Sequence, residues 1–145
     1  FLYGFVLRLL AVFVILVLVI SQNSAFAADG TQRAEIKNPR LLNSFGDVMS
    51  LNINAGQQVQ ISADVLNQQT TKQNFVFIVQ VLDNDGIEQR ITWFSASLNP
   101  QQSLSPALSW NPKIPGTYTA EIYVWDSIKD ANALAKPIIL KIIVS

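Results

Sequence analysis

The sequence predicts an all-β fold, a seven-stranded antiparallel β-sandwich preceded by an N-terminal hydrophobic helix. Apolar and polar residues alternate with a period of two in several segments, most regularly in residues 116–126. Turn-forming Pro, Gly, Asn and Asp recur about every ten residues between these segments, a spacing typical of sandwiches and barrels. No amphipathic helix pattern follows residue 27, whereas residues 1–20 are almost all apolar.

The composition excludes most catalytic and metal-binding chemistry. The 145 residues contain no Cys and no His, so thiol nucleophiles, disulfides, the usual zinc sites and His-dependent triads are excluded. The 10 basic and 10 acidic residues balance, and nucleic-acid binding would need an excess of Lys and Arg. We therefore predict a protein that is not an enzyme, with no cofactor, no metal and no nucleic-acid partner.

Residues 1–27 form a separate segment with two alternative interpretations. Arg8, the uninterrupted apolar run from Leu9 to Ile20, a polar stretch and Ala-Phe-Ala at residues 25–27 follow the order of a cleaved secretory signal peptide. The alternative is a retained membrane helix, since about 20 residues at about 1.5 Å each span roughly 30 Å, the thickness of a bilayer core. In either case we expect an extracellular or cell-surface protein, anchored in the membrane if residues 1–20 are retained.

The remaining chain divides into a short linker, residues 28–33, and one domain, residues 34–145. The first strand, residues 34–42, is interrupted by Pro39, which confines it to a sheet edge. A second short piece is expected within residues 48–53. The other strands are predicted at residues 57–66, 75–82, 87–98, 103–110, 116–126 and 138–144.

The connection between the third and fourth strands, Asp83 to Gly86, is predicted to be a tight turn. Its D-x-D-G pattern with Asp85 also matches the opening of a calcium loop. A complete EF-hand loop needs further ligands and a distal Glu, and Glu88 is too close. The pattern therefore favours a turn over a calcium site.

Tyr118 follows a Pro-Gly corner at the start of the sixth strand, and this resembles the tyrosine corner of Ig-like sandwiches. In that resemblance Ala120 takes the place of the second antibody-type Cys, Ala63 faces it, and Phe77 is the nearest counterpart of the third-strand Trp. Residues 34–145 thus resemble an Ig-like or fibronectin-III-like β-sandwich, a resemblance that implies a fold and no particular function. The chain is also similar to Ig-like domains of secreted and surface proteins of archaea, notably ammonia oxidisers, in residues 56–86, 109–112, 116–120 and 124–127.

The outward side of one sheet is the candidate functional site. If Tyr118 faces the core, alternate residues of the third, sixth and seventh strands face outward, and in Ig-like topology these strands are neighbours. Apolar patches of this size mark interfaces, in which Tyr and Trp are favoured anchors. The alternative is that residues 34–53 or the loop at residues 126–137 cover the patch. The candidate interface residues are Val76, Ile78, Tyr123, Trp125, Ile139 and Ile143.

These features predict a non-catalytic Ig-like module that acts through protein–protein contact, as an accessory subunit of a membrane or surface assembly or as an adhesion module. Its partner would be another protein or a second copy bound through the apolar outer sheet face. The alternative is a pilin-like filament subunit with the N-terminal helix in the filament core. That alternative lacks the Glu near the start of the helix that is typical of pilins.

Overall fold

The computed structural model describes residues 30–145, which form two β-sheets. Within these residues there is no α-helix, and none that could cross a membrane. The predicted N-terminal hydrophobic helix, with its two interpretations at residues 1–27, lies outside the described residues. The strands are β1 (Ala34–Leu42), β2 (Val48–Met49), β3 (Asn52–Ile53), β4 (Val59–Asn67), β5 (Gln73–Leu82), β6 (Glu88–Leu98), β7 (Ser103–Leu104), β8 (Ala107–Trp110), β9 (Gly116–Trp125) and β10 (Ile138–Val144).

The first sheet has the order β2-β1-β4, with β7 and β8 both pairing with the other side of β4. The second sheet has the order β3-β10-β9-β5-β6. The predicted strands correspond to β1, β4, β5, β6, the interrupted β7–β8, β9 and β10, while the short piece at residues 48–53 splits into β2 and β3. The prediction of a wholly antiparallel sandwich is wrong at β3, which runs parallel to β10. Only Ser50 and Leu51 separate β2 in one sheet from β3 in the other, so the chain crosses over without room to reverse.

The core consists of the inward faces of both sheets. Phe77 of β5 and Ile122 of β9 are among its fully buried side chains. Ala63 and Ala120, the small residues at the positions of the absent disulfide, are also fully buried in this core. Leu134 adds a core residue from the loop between β9 and β10. Its backbone N–H donates to the carbonyl of Val124 at 2.9 Å, so the loop lies along β9 and contributes to the core.

The predicted tyrosine corner is confirmed. The Tyr118 hydroxyl donates a hydrogen bond to the backbone carbonyl of Ile114 at 2.6 Å. The Tyr118 ring is buried and packs edge to face against Trp110, with ring centroids 5.1 Å apart. These contacts join the loop between β8 and β9 to the core and position the start of β9.

Both neighbours of β4 are interrupted by a proline at the same level. The pairing of β1 with β4 shifts register around Pro39, and Pro106 separates β7 from β8. Proline has no N–H to donate, so ladder hydrogen bonds are lost on both sides of β4. The Ser62 hydroxyl compensates on one side by donating to the carbonyl of Pro106 at 2.8 Å. Ser62 is fully buried, although it lies on the side of β4 facing away from the core, because the chain around Pro106 folds against its hydroxyl.

The Asp64 side chain on β4 contacts both strands that the prolines interrupt, β1 on one side and β7–β8 on the other. Its carboxylate accepts hydrogen bonds from the Ser105 hydroxyl at 2.6 Å and from the Asn38 side-chain amide at 2.8 Å. The Arg40 guanidinium forms an ion pair with it at 3.0 Å. The hydrogen bonds from Ser105 and Asn38, together with Arg40, lower the pKa of Asp64 to about 2.

Replacing Tyr118 by Phe removes the hydroxyl and keeps the ring. We expect the free energy of unfolding to fall by about 1–2 kcal/mol, because the hydrogen bond to Ile114 is lost while the packing is retained. Urea unfolding followed by tryptophan fluorescence measures this change. The control is Tyr123→Phe, whose hydroxyl bonds to a surface carboxylate and whose loss should cost less. Equal losses would contradict a special role of Tyr118.

The low pKa of Asp64 predicts a pH dependence of stability. A carboxyl whose pKa is about 3.9 in the unfolded chain and lower in the folded one stabilises the fold above pH 4, and this contribution is lost as the pH falls towards 2. We expect the stability advantage of the parent chain over Asp64→Asn to shrink by about 1 kcal/mol across this window. Urea unfolding at a series of pH values tests this, and two parallel stability curves would contradict it.

Candidate protein-binding face

The outer face of the second sheet carries all the candidate interface residues. β5, β9 and β10, the third, sixth and seventh predicted strands, are adjacent in this sheet. Tyr123 lies opposite Ile78 across the pairing of β9 with β5, and Trp125 lies opposite Val76. The residues between them on each strand point into the core. Val76, Ile78, Tyr123, Trp125, Ile139 and Ile143 are therefore on one side of the sheet.

These residues differ in exposure. Val76 and Ile78 are only 1% and 3% exposed, although they point away from the core. Trp125 flanks Val76 on β9, and Ile78 lies between Tyr123 on β9 and Trp93 on β6. Ile139 and Ile143 on β10 are exposed. The face thus has a buried apolar floor at one end and separate exposed apolar residues at the other.

A groove of about 390 Å³ crosses this face, and we call it the aromatic groove. Ile78 lies on its floor, and Trp93, which is 55% exposed, is opposite Ile78 across the β5–β6 pairing. The full lining is Ile78, Gln80, Ile91, Trp93, Tyr123, Trp125 and Ile128.

Four lining residues were not among the candidates: Gln80, Ile91, Trp93 and Ile128. Ile91 and Trp93 alternate along β6 on the same face, and the tight turn before β6 determines which residues of β5 they oppose. Extending the outward pattern across this turn would have found both. Ile128 comes from the loop after β9, where no periodic pattern exists to indicate it.

The aromatic side chains of β9 are held in place. The Tyr123 and Trp125 rings pack edge to face with centroids 5.9 Å apart. The Tyr123 hydroxyl donates a hydrogen bond to the carboxylate of Glu121. This bond, followed by burial, raises the pKa of Tyr123 to about 12, so the phenol stays protonated under physiological conditions. The groove therefore offers ordered aromatic surfaces that need little rearrangement on binding.

Residues 34–53 and the loop at residues 126–137 were the two alternative covers of this face, and they lie in different places. β1 belongs to the other sheet and does not lie over this face. The loop at residues 126–137 borders the groove, because Ala133 forms a bridge with Trp125 and Ile128 contributes one wall. The Asp126 carboxylate accepts two hydrogen bonds from Asn132, at 2.9 and 3.0 Å, and these bonds are the main cause of its lowered pKa. The loop is thus ordered beside the groove and leaves Trp93 and Ile128 exposed.

The Asp83 carboxylate accepts hydrogen bonds within the predicted turn. One of its carboxylate oxygens accepts the backbone N–H groups of Asp85 and Ile87, both at 2.9 Å. The uncharged Asn43 makes the same two bonds in the turn between β1 and β2, at 2.9 and 3.0 Å. The turn therefore requires a side-chain oxygen and not a charge. In the described part of the chain no three acidic side chains are grouped as metal ligands.

No protein-family model and no curated protein matches the chain in sequence. Its fold is similar to the C-terminal domain of Wzt, with 13% identity, a TM-score of 0.64 and coverage of 81% of this chain and 76% of that one. It is also similar to the CARDB domain of the PF1109 protein from Pyrococcus furiosus, a structure in complex with di-metal ions, with 15% identity, a TM-score of 0.51 and coverage of 78% and 94%.

A cycloisomaltooligosaccharide glucanotransferase from Paenibacillus sp., complexed with cycloisomaltoheptaose, matches 77% of this chain at 16% identity with a TM-score of 0.57. The matching region is only 14% of that enzyme. At sequence identities of 13%, 15% and 16%, these structural similarities show the fold alone. Together with the strand order they show that residues 34–145 form an Ig-like β-sandwich.

The geometry predicts unequal effects for two tryptophan substitutions. Trp125→Thr would uncover the floor at Val76, and we expect a loss of about 3 kcal/mol in the free energy of unfolding. Trp93→Thr, at an exposed position, should cost about 1 kcal/mol or less. Urea unfolding of both variants measures the difference. Equal losses would show that the groove floor does not depend on Trp125.

Proposed function

We propose that this chain is a non-catalytic Ig-like module that acts through protein–protein contact at the aromatic groove. The observation that carries the proposal is the presence of Trp93, Tyr123 and Trp125 around an open groove on a sheet face that no other segment within residues 30–145 covers. A sheet with one face in water normally places polar residues there. Tyr and Trp are the residue types most enriched at energetically important positions of interfaces.

The position of Gly30 shows where the described chain begins relative to the groove. Arg33 donates hydrogen bonds to the carbonyls of Gly30 at 2.9 Å and Ala133 at 3.4 Å, and Ala133 bridges Trp125. The described chain therefore starts near the Trp125 end of the groove. If residues 1–20 anchor the protein in a membrane, a neighbouring membrane protein is the expected partner of the groove.

In this proposal the module lies outside the cell, as an accessory subunit of a surface or membrane assembly or as an adhesion module. The filament alternative would place the main assembly contact in residues 1–20, leaving the groove without a protein partner.

A photo-cross-linker tests the groove as the contact. Benzoylphenylalanine is introduced at Ile128, a groove wall away from the sheet edge, and the full chain is irradiated in its own cells. The matched control is Ile114, which is 67% exposed and lies in the loop before β9. We expect a discrete protein adduct from position 128 and none from position 114. Mass spectrometry identifies the adduct as a different protein or a second copy.

Two results would overturn the proposal. Equal labelling at positions 128 and 114 would show that the groove has no preferred protein partner. Adducts with lipid or polysaccharide alone would assign the groove to another class of ligand. Polysaccharide is a relevant outcome because the glucanotransferase with a similar domain was solved with a cyclic glucan.

A further inference from the structure

β6 is the longest strand at a sheet edge in the described residues, and it contains no proline. The edge strands β2 and β3 are only two residues long. Prolines interrupt or adjoin the longer strands at the other edges: Pro39 in β1, Pro106 between β7 and β8, and Pro137 before β10. Prolines, bulges, edge lysines and short strands are the usual devices that prevent edge strands from pairing with other chains. β6 is 11 residues long and contains no Pro and no Lys. Its first three residues are protected, because Gln89 forms a bulge and the Arg90 guanidinium donates to the carbonyl of Ser109 on β8 at 3.2 Å. From Ile91 to Leu98 the strand is uncharged and pairs with β5 without a register shift.

The chemistry of this edge defines what can bind to it. β6 is the last strand of its sheet and pairs with β5 alone. Every second residue of an antiparallel edge strand directs its N–H and C=O away from the sheet, and another extended strand satisfies such a row. Ile91, Trp93 and Phe94 are exposed along the same edge, which adds apolar surface to the unpaired backbone.

We propose that β6 pairs antiparallel with β6 of a second copy, around a two-fold axis at Trp93. Trp93 is the midpoint of Glu88–Leu98, so this axis gives full overlap of the two strands. It joins the second sheets of both copies into one continuous sheet. Because a two-fold axis perpendicular to the sheet keeps the outer faces on the same side, the two aromatic grooves meet at Trp93.

The charges of β6 favour antiparallel pairing of two copies over parallel pairing in register. Glu88 and Arg90 both lie at one end of the strand, and residues 91–98 are uncharged. Antiparallel pairing places Arg90 opposite Ala96 of the other copy, whereas parallel pairing in register would place Arg90 beside Arg90. The chain has a formal net charge of zero, so two copies do not repel each other through their net charge. The proposal depends on the edge of β6 and is independent of the protein contact at the groove.

Cysteine cross-linking tests the pairing in the full chain, which contains no Cys of its own. Residues opposite each other in an antiparallel pair have Cα atoms about 4.5–5.5 Å apart, within the range of a disulfide. We expect Trp93→Cys to form disulfide-linked dimers at least about ten-fold faster than Ser50→Cys, an exposed control on another part of the chain. Cross-linking no faster than the control would overturn the proposal.

A pair of distant cysteines tests the orientation. Ile91→Cys alone should link poorly, because it lies four residues along the strand from its own copy across the axis, about 13 Å. Mixing Ile91→Cys with Ser95→Cys should restore linkage, because these positions are opposite each other in the proposed register. Efficient linkage of Ile91→Cys with itself would indicate parallel pairing and overturn the model of a two-fold axis at Trp93.

A substitution on the edge of β6 distinguishes pairing through β6 from contact at the aromatic groove. Ser95→Lys introduces a gatekeeping lysine on β6, and we expect it to reduce cross-linking of Trp93→Cys by at least about five-fold. Ile128→Glu alters the groove wall and should leave that cross-linking unchanged. Loss of cross-linking with Ile128→Glu but not with Ser95→Lys would place the contact in the groove and refute pairing through β6.

Discussion

The register that pairs β9 with β5 and β10 is the constraint on which both faces of the second sheet depend. Side chains alternate along a strand, so the pairing that places Val124 opposite Phe77 in the core also places Trp125 opposite Val76 outside it. A slip by one residue would exchange the two faces and expose the core side chains. Tyr118 opposes such a slip because its buried ring and its hydroxyl bond determine where β9 begins. The core therefore selects the register, and the outer aromatic groove follows from it.

The first sheet meets a different constraint, the protection of its edges. Pro39 and Pro106 prevent long unpaired ladders beside β4, but they also remove hydrogen bonds that would be worth about 1 kcal/mol each. Ser62 and Asp64 offset this loss with side-chain hydrogen bonds to the interrupted neighbours. Bonds to a charged group such as the Asp64 carboxylate are stronger than neutral ones, about 1.5–3 kcal/mol. This sheet thus limits edge pairing and retains the hydrogen bonding that a fold without disulfides needs.

Local patterns in the sequence predicted the strands, the tyrosine corner and the turn at Asp83, because each depends on residues close together in the chain. The parts that were wrong or missed depend on contacts between distant segments. Ser62 is buried because residues near Pro106 fold against it, and Leu134 is a core residue because its loop pairs with β9. The parallel pairing of β3 follows from the crossover between sheets, which no periodicity indicates. Ile128 lines the groove because of the path of the loop after β9, which no periodic pattern in the sequence indicates either.

The two sheets consequently differ in their capacity for contact. The first has polar side chains on β4 and proline interruptions beside it, whereas the second combines an open aromatic groove with a long edge strand that contains no proline. Trp93 belongs to both features, since it lines the groove and lies at the midpoint of β6. Pairing through β6 would therefore bring two grooves together in one rigid sheet. A partner with two suitable sites would then bind the second groove at a high effective concentration, so modest affinity at each groove would be sufficient for stable attachment.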